Sequence, residues 1–568
     1  MSLTHSKKNK YDVIVVGSGI SGGWAAKELC QAGLKTLVLE RGRMVKHLID
    51  YPTMHLDPWD LPNNSKTPIE IVNKHYDKQK RWRFDETDRH FYNKDSEYDY
   101  DEAKPFDWIR GTQVGGRSLI WGRHTYRWSD LDFEANAKDG YGIDWPIRYM
   151  DIEPWYTHVE KFVGISGEKL NIPHLPDSHF LPPIELNCVE NHFKKNIAKK
   201  YSDRVLTSGR VAHITKGIKP GAGRSSCQHR NRCKRGCPYG ASFTSNSSTI
   251  PIAEATGNLT IRPHSIVSEV IFNNNTQKAT GVRVIDTISK EVLEFESKII
   301  FLCASAIAST AILFQSRSKR FPNGMGNDSG ELGHNIMDHQ LGSGASGKYI
   351  GFHDKYYTGR KPCGFYIPRF RNVDKNSKKV NFLRGYAYQG GGSRSDWSNT
   401  VAELAYGKAF KHEILKPGDW RIGMGGFGEV LPYHENKMTL NYNKLDQYGL
   451  PKITFDAEFN ENEKLMKEDW KIQSAEMLEM AGFKDVEIYD NNARIGGGIH
   501  EMGTARMGHD PKTSVLNKFN QIHTVKNVFV SDGACMTSAA NQNPSLTYMA
   551  LTARAANHAV NELKRMNL

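Results

Sequence analysis

Two glycine clusters and three closely spaced cysteines are the stretches of this sequence whose residue types and spacing can do chemistry. Gly17-Ser18-Gly19-Ile20-Ser21-Gly22 reads G-x-G-x-x-G directly after an apolar run. In such a cradle the first glycine permits the tight turn, the second lets backbone approach a pyrophosphate, and the third lets helix and strand pack. The anion then sits at the positive end of the helix. Glu40, 18 residues beyond Gly22, stands where an acid can bond ribose hydroxyls. That acid disfavours a 2′-phosphate and leaves FAD or NAD. The second cluster, Arg110-Gly111-Thr112-Gln113-Val114-Gly115-Gly116-Arg117-Ser118-Leu119-Ile120-Trp121-Gly122, decides for the flavin. A nicotinamide fold needs no second glycine loop there, whereas a ribityl-isoalloxazine must lie against backbone away from the first site.

The cysteines follow the pattern Cys227-x5-Cys233-x3-Cys237-Pro238. Zinc sites favour closer pairs with a matching second half, and His229 sits awkwardly for completing a Cys3His set. A disulfide would leave an odd thiol. Three thiolates followed by proline suit a 3Fe-4S cluster, one ligand for each iron. Arg224, Arg230, Arg232, Lys234 and Arg235, with no acid among them, would offset the charge of thiolate and sulfide. Zinc and plain reduced cysteines remain the alternatives. The other five cysteines stand singly, and single buried cysteines usually pack as small apolar groups.

These groups need a scaffold. The apolar run Tyr11–Val16, a helix from Trp24 to Ala32 and the run Thr36–Leu39 predict a β-α-β unit in the first forty residues. Residues 50–107 are polar, rich in aromatics and without periodicity, as in an excursion over a surface. Strands are expected at 259–261, 267–272, 281–285 and 299–302. Residues 340–455 read as short antiparallel strands, and Glu461–Met480 as a helix capped by Asn460. A last strand at Val528–Val530 precedes a helix from Ser545 to about Met566. The expected fold is α/β (α+β overall): a Rossmann-like FAD-binding domain interleaved with an antiparallel-sheet substrate domain. The first would comprise residues 1–48, 100–165, 215–340 and 495–568, and the second 49–99, 166–214 and 341–494.

Composition narrows the classes. The chain has 568 residues, 38% of them apolar, which excludes a disordered tail protein. Mean hydropathy of −0.58 argues against a membrane bundle. The apolar-to-small run at 299–314 is too short for a membrane span and reads as a strand entering a helix. The net charge of +13 is spread along the chain, unlike the stripe or arm of a nucleic-acid binder. No apolar stretch precedes Tyr11, so no signal peptide and a cytoplasmic location are expected, with export beside a signal-bearing partner as the alternative.

His500-Glu501-Met502-Gly503-Thr504, Ser531-Asp532-Gly533 and Asn543-Pro544-Ser545-Leu546-Thr547 complete the pattern. With the cradle and Val114-Gly115-Gly116-Arg117-Ser118, they resemble the glucose–methanol–choline (GMC) flavin oxidoreductases over nearly the whole chain. The resemblance implies that His500 faces flavin N5 as catalytic base and that Asn543 is the second active-site residue. An imidazole is a suitable base at neutral pH for the hydroxyl proton. The flavin contacts implied are Gly17, Ser18, Gly19, Ile20, Ser21, Gly22, Glu40, Arg41, Arg110, Gly115, Gly116, Ser118, Trp121, Gly122, Val267, Asp532, Gly533, Asn543 and Pro544. Members with covalent flavin carry a histidine where this chain has Ile120, which implies non-covalent FAD although His124 is near.

The segment with Cys227, Cys233 and Cys237 also resembles the catalytic subunits of bacterial FAD-dependent sugar and glucoside 3-dehydrogenases, which bind a 3Fe-4S cluster. The function implied is oxidation of a sugar or glycoside ring hydroxyl, with C3 a candidate, and electrons leaving to an external acceptor. That acceptor would be a cytochrome c or a quinone-linked subunit, with a small accessory subunit as a further partner. An oxygen-using pyranose-type oxidase and a zinc-stabilised binding protein with an inactive flavin fold are the alternatives. Trp397, Tyr386 and Tyr388 are candidates for sugar stacking, weighed against a place in the core.

Overall fold

The computed structural model describes residues 10–79, 85–216, 223–355, 363–379, 381–394, 406–415 and 418–568. Trp397 lies outside them. The first sheet is built from distant parts of the chain. The strand Lys10–Val16 pairs in parallel with Thr36–Leu39 on one side and with Val292–Leu302 on the other. Val525–Val530 adds in parallel beyond Val292–Leu302, and Leu259–Arg262 beyond Thr36–Leu39. A continuous apolar strand should be buried on both faces. Ile14 and Val16 enter one apolar cluster, while Val13 and Val15 enter another on the opposite face. The strands Ser265–Asn273 and Lys278–Asp286 form an antiparallel meander into Val292–Leu302.

The helix after the first strand runs Ile20–Gln31 and begins inside the glycine motif, ahead of the Trp24 suggested by spacing. The run at 299–314 divides as expected, into the end of a strand and the helix Ala306–Gln315. Val16, Leu302 and Val530 therefore end side by side, and the loops that follow them converge at the carboxyl edge of the sheet. Open α/β sheets hold their ligands at that edge.

The second sheet is antiparallel, ordered Lys484–Asp490, Ser343–Tyr349, Trp420–Glu429, Tyr386–Arg394, Phe365–Ile367 and Thr207–Ser208. The helix Glu461–Met480 lies across it, its start secured by the Glu463 carboxylate accepting the Asn460 N–H at 3.0 Å. Trp470 is the wedge between helix and sheet. A Cβ at Gly426 or Gly428 would come within 2.5 Å of its ring, so these glycines make the room it fills. Its indole N–H reaches Ser343 Oγ at 2.9 Å. Trp470→Ala should destabilise the protein by about 3–5 kcal/mol, read as a lowered urea midpoint; a midpoint within error of the parent would contradict this packing.

Tyr386 and Tyr388 belong to the same core and are not stacking platforms. Both are fully buried. Their hydroxyls donate to Asp469 Oδ2 at 2.5 Å and to the Trp470 carbonyl at 2.7 Å, both on that helix. Among the described residues no helix is long and apolar enough to cross a membrane.

Candidate active site

The glycine cradle has the three roles its spacing suggests, each with a structural cause. Gly17 has φ +94°, and a Cβ there would lie 2.5 Å from the Cys303 carbonyl oxygen. A Cβ on Gly22 would lie 1.9 Å from the Gly17 carbonyl oxygen. A Cβ on Gly19 would meet nothing within 4 Å, because it faces a cavity of about 380 Å³. Glu40 lines that cavity and accepts from Ser18 Oγ at 2.5 Å, Ser18 N at 3.2 Å and Gly42 N at 3.0 Å. Burial pushes its carboxyl above the ordinary range in spite of these bonds.

The second glycine loop is bonded to the first, since the Gly115 N–H donates to Ser18 Oγ at 3.0 Å. Arg117 fastens it to the C-terminal segment, pairing with Glu501 at 2.7 Å and donating to Ser305 Oγ at 2.7 Å. Arg110 is 4% exposed and lies over the Trp108 ring at 4.5 Å, yet none of its three guanidinium nitrogens has a hydrogen-bond partner. It faces the cavity with donors to spare.

His500 lines the same cavity. Asp338 positions its backbone, accepting the Gly498 N–H at 2.8 Å and the His500 N–H at 3.0 Å. Burial, reinforced by nearby Glu501, pushes the Asp338 carboxyl up to about 7. The His500 Nε2 lies 3.5 Å from Asn543 Nδ2, and Gln389 Nε2 donates to Asn543 Oδ1 at 2.6 Å. His500 Nδ1 lies 3.1 Å from Nδ1 of the fully buried His339. Burial holds His500 well below the usual imidazole value, with His339, Arg117 and His124 acting in the same direction. It is therefore neutral at neutral pH, as a general base must be.

Of the residues singled out from sequence, Gly17, Ser18, Gly19, Ile20, Ser21, Glu40, Arg41, Arg110, Gly116, Ser118, Trp121, Gly122, Val267, His500, Asp532, Gly533 and Asn543 line this one cavity. Gly22, Gly115 and Pro544 do not, and serve the scaffold. Gly115, at φ +95°, packs against Asn246, and Pro544 immediately precedes the helix Ser545–Lys564. His339, Gln389, Phe427 and the Arg117–Glu501 pair went unremarked in the sequence. An Asp-His pair at 338–339 was the available signal for the first, but nothing local ties it to residue 500.

The cysteines form a separate place beside the second glycine loop. Cys233 is buried, Cys227 and Cys237 half-buried, and all three are free thiols. Burial pushes the Cys233 thiol up to about 12; Arg123 opposes this, whereas Cys237, Cys363 and Cys227 add to it, so four thiols share one neighbourhood. The histidine ring against this group is His213, with Nε2 3.5 Å from Cys233 Sγ; His229 bonds Cys227 through its backbone N–H. Arg123 donates to the carbonyls of Trp121 at 2.6 Å and Cys233 at 3.2 Å, connecting the thiols to the cavity wall. Arg224 is buried beside them, its guanidinium pKa lowered to about 10 by burial in spite of Cys237.

A parallel sheet carrying a glycine cradle, and a cavity leading from it to a neutral histidine paired with an asparagine, define a flavin-dependent oxidoreductase of alcohols. The chain belongs to the GMC oxidoreductases, whose N-terminal family model matches residues 11–341 and whose C-terminal model matches 432–552. It is an FAD-dependent enzyme acting on CH–OH groups. It is 28% identical to 2-methyl-1,2-propanediol dehydrogenase of Mycolicibacterium austroafricanum, over 96% of this chain and 94% of that one. It is 25% identical to the fructose dehydrogenase large subunit of Gluconobacter japonicus, over 98% of both chains. Among solved structures, pyridoxine 4-oxidase from Mesorbium loti superposes with a TM-score of 0.60 at 16% identity, covering 96% of this chain and 98% of that one.

Proposed function

We propose that the enzyme oxidises a ring hydroxyl of a sugar or glycoside to a ketone, with C3 the candidate position, and delivers the electrons to an external acceptor. The observation that carries this reading is the His500–Asn543 pair, set in one cavity with the glycine cradle. The likeness to a fructose dehydrogenase large subunit over 98% of both chains favours a sugar and a partner subunit.

The residues present suit FAD. The open face of Gly19 at a helix N-terminus and the unpartnered Arg110 guanidinium both await an anionic or acceptor group. When bound, FAD supplies the hydride acceptor. The protein does the rest: Asn543, its oxygen held by Gln389, turns its amide N–H toward the substrate oxygen, and His500 Nε2 takes the hydroxyl proton. Phe427, on the antiparallel sheet, lines the cavity near His500, with ring centroids 6.4 Å apart.

Cys227, Cys233 and Cys237 would hold a 3Fe-4S cluster, which supplies one-electron chemistry. Their mutual electrostatic reach and the buried Arg123 and Arg224 suit a negatively charged inorganic group. The partners we assign are a cytochrome c or quinone-linked acceptor and a small accessory subunit, and the location we assign is cytoplasmic, with export alongside a signal-bearing partner as the alternative.

Metal, sulfide and flavin analysis of the purified protein tests this. About three irons and about four labile sulfides per FAD are expected. Cys233→Ala should lose the iron and keep the flavin. Flavin without iron, together with peroxide release on turnover, would favour an oxidase; zinc in place of iron would overturn the cluster.

A further inference from the structure

We propose that His339 is a positioning residue that fixes which ring nitrogen of His500 carries the proton, leaving Nε2 bare toward the substrate. The inference rests on the reading of His500 as the base. The two imidazoles meet edge to face, with centroids 4.9 Å apart and planes at 83°. Their Nδ1 atoms are 3.1 Å apart, so one must donate and the other accept. The direction of that bond decides whether His500 can act at Nε2.

The groups beyond each ring set the direction. At one end, Gln389 Nε2 donates to Asn543 Oδ1 at 2.6 Å, which leaves Asn543 Nδ2, a donor, against His500 Nε2. A donor there requires Nε2 to be an acceptor, so the His500 proton is on Nδ1. At the other end, the buried His339 Nε2 has no direct hydrogen-bond partner, and the backbone carbonyls of Ala540 and Gln542 face its ring and favour a proton on it. Carbonyls only accept, so they favour a protonated nitrogen on the His339 ring. With Nδ1 the acceptor for His500, as the Asn543 end requires, that proton falls on Nε2. Burial holds His339 down to about 4, so it stays neutral and keeps that acceptor.

The strand pair between His339–Gln340 and Gly428–Glu429 fixes the backbone that carries the ring. In the reaction the substrate O–H bond breaks and an N–H bond forms at His500 Nε2, while the hydride goes to the flavin as above. The imidazolium then keeps its Nδ1–H bond to His339, which stabilises the charge. The other charged or titratable groups around His500 are Asp338, bound to its backbone, the Arg117–Glu501 pair and His124. An Asp338 carboxylate oxygen lies within 4.8 Å of a ring nitrogen of His500, but its hydrogen bonds go to the Gly498 and His500 backbone N–H groups.

The test compares His339→Leu, which cannot accept, with His339→Asn, whose Oδ1 can stand where Nδ1 was. His500→Ala serves as the reference, and all are assayed as FAD-loaded enzymes for anaerobic flavin reduction by an active sugar. The leucine variant should be slowed on the order of 10²–10⁴-fold, the scale of a wrong catalytic tautomer, with unchanged half-saturation. The asparagine variant should recover to within about tenfold of the parent. Nitrogen-15 histidine NMR of the unsubstituted holoenzyme reads the tautomer without any variant: His500 should show a protonated Nδ1 and a bare Nε2. The opposite tautomer, or a leucine variant at parental rate beside an inactive His500→Ala, overturns the inference alone. Unimpaired His500→Ala would instead overturn the assignment of the base.

Discussion

His500→Ala should bind FAD as the parent does and lose about 10²–10⁴-fold in the rate of anaerobic flavin reduction, the usual contribution of a general base. The residue makes none of the hydrogen bonds that hold the glycine cradle, so its removal leaves Gly17, Gly19, Glu40 and Arg110 untouched. Its backbone is held by Asp338 through two N–H bonds that an alanine keeps. What is lost is a neutral imidazole, kept neutral by burial and by Arg117 nearby, at the place where the hydroxyl proton must go. Flavin content is read from the absorption spectrum and the rate from stopped flow. A variant that bleaches its flavin at parental speed would remove His500 from the chemistry.

Two glycines of the cradle should fail in different ways when each is replaced by valine. Gly22→Val places a Cβ 1.9 Å from the Gly17 carbonyl oxygen, a backbone atom that cannot turn aside. The helix Ile20–Gln31 would have to leave the turn that starts it, so we expect little soluble folded protein. At Gly19 a Cβ meets no protein atom within 4 Å, and the valine side chain would extend into the space a pyrophosphate needs. That variant should purify folded, with near-parental far-UV circular dichroism, and hold almost no FAD against one per chain in the parent. Full flavin occupancy in Gly19→Val would place the cofactor elsewhere.

This contrast explains why the cradle could be read in advance. The left-handed φ of Gly17 and the approach of Gly22 to the Gly17 carbonyl are set within six residues, by backbone sterics that hold wherever a strand turns into a helix in this way; only the Cys303 carbonyl against Gly17 comes from elsewhere in the chain. The helix Glu461–Met480 was equally plain, because Asn460 and Glu463 bond each other locally. The antiparallel sheet was only roughly visible. Its strand Tyr386–Arg394 contains three consecutive glycines, which no propensity favours, and gains its place from pairing with Trp420–Glu429. Tyr386 and Tyr388 alternate as strand residues should, but whether their rings meet a ligand or a helix is decided by Asp469 and Trp470, about eighty residues away. His339 lies 161 residues before its partner His500, and only the fold brings them together.

The cysteine segment shows the same limit from the other side. Its spacing singled out Cys227, Cys233 and Cys237, while the buried Cys363, distant in sequence, completes the thiol neighbourhood and contacts the Gly122 carbonyl at 2.6 Å. The basic residues around it are partly engaged already: Arg232 pairs with Asp57 and Arg230 donates to the Met54 carbonyl. The local excess of charge is therefore as much a fastening for the excursion at 50–60 as a surface for a partner.

The central claim is that this GMC oxidoreductase takes its hydride from a sugar ring. Anaerobic mixing of the holoenzyme with a panel of hexoses, glycosides and simple diols, followed at the flavin absorption maximum, tests it most directly. At least one sugar or glycoside should bleach the flavin rapidly, with a ring ketone identified in the product by NMR. Bleaching by 2-methyl-1,2-propanediol or other acyclic alcohols, and by no sugar, would contradict it.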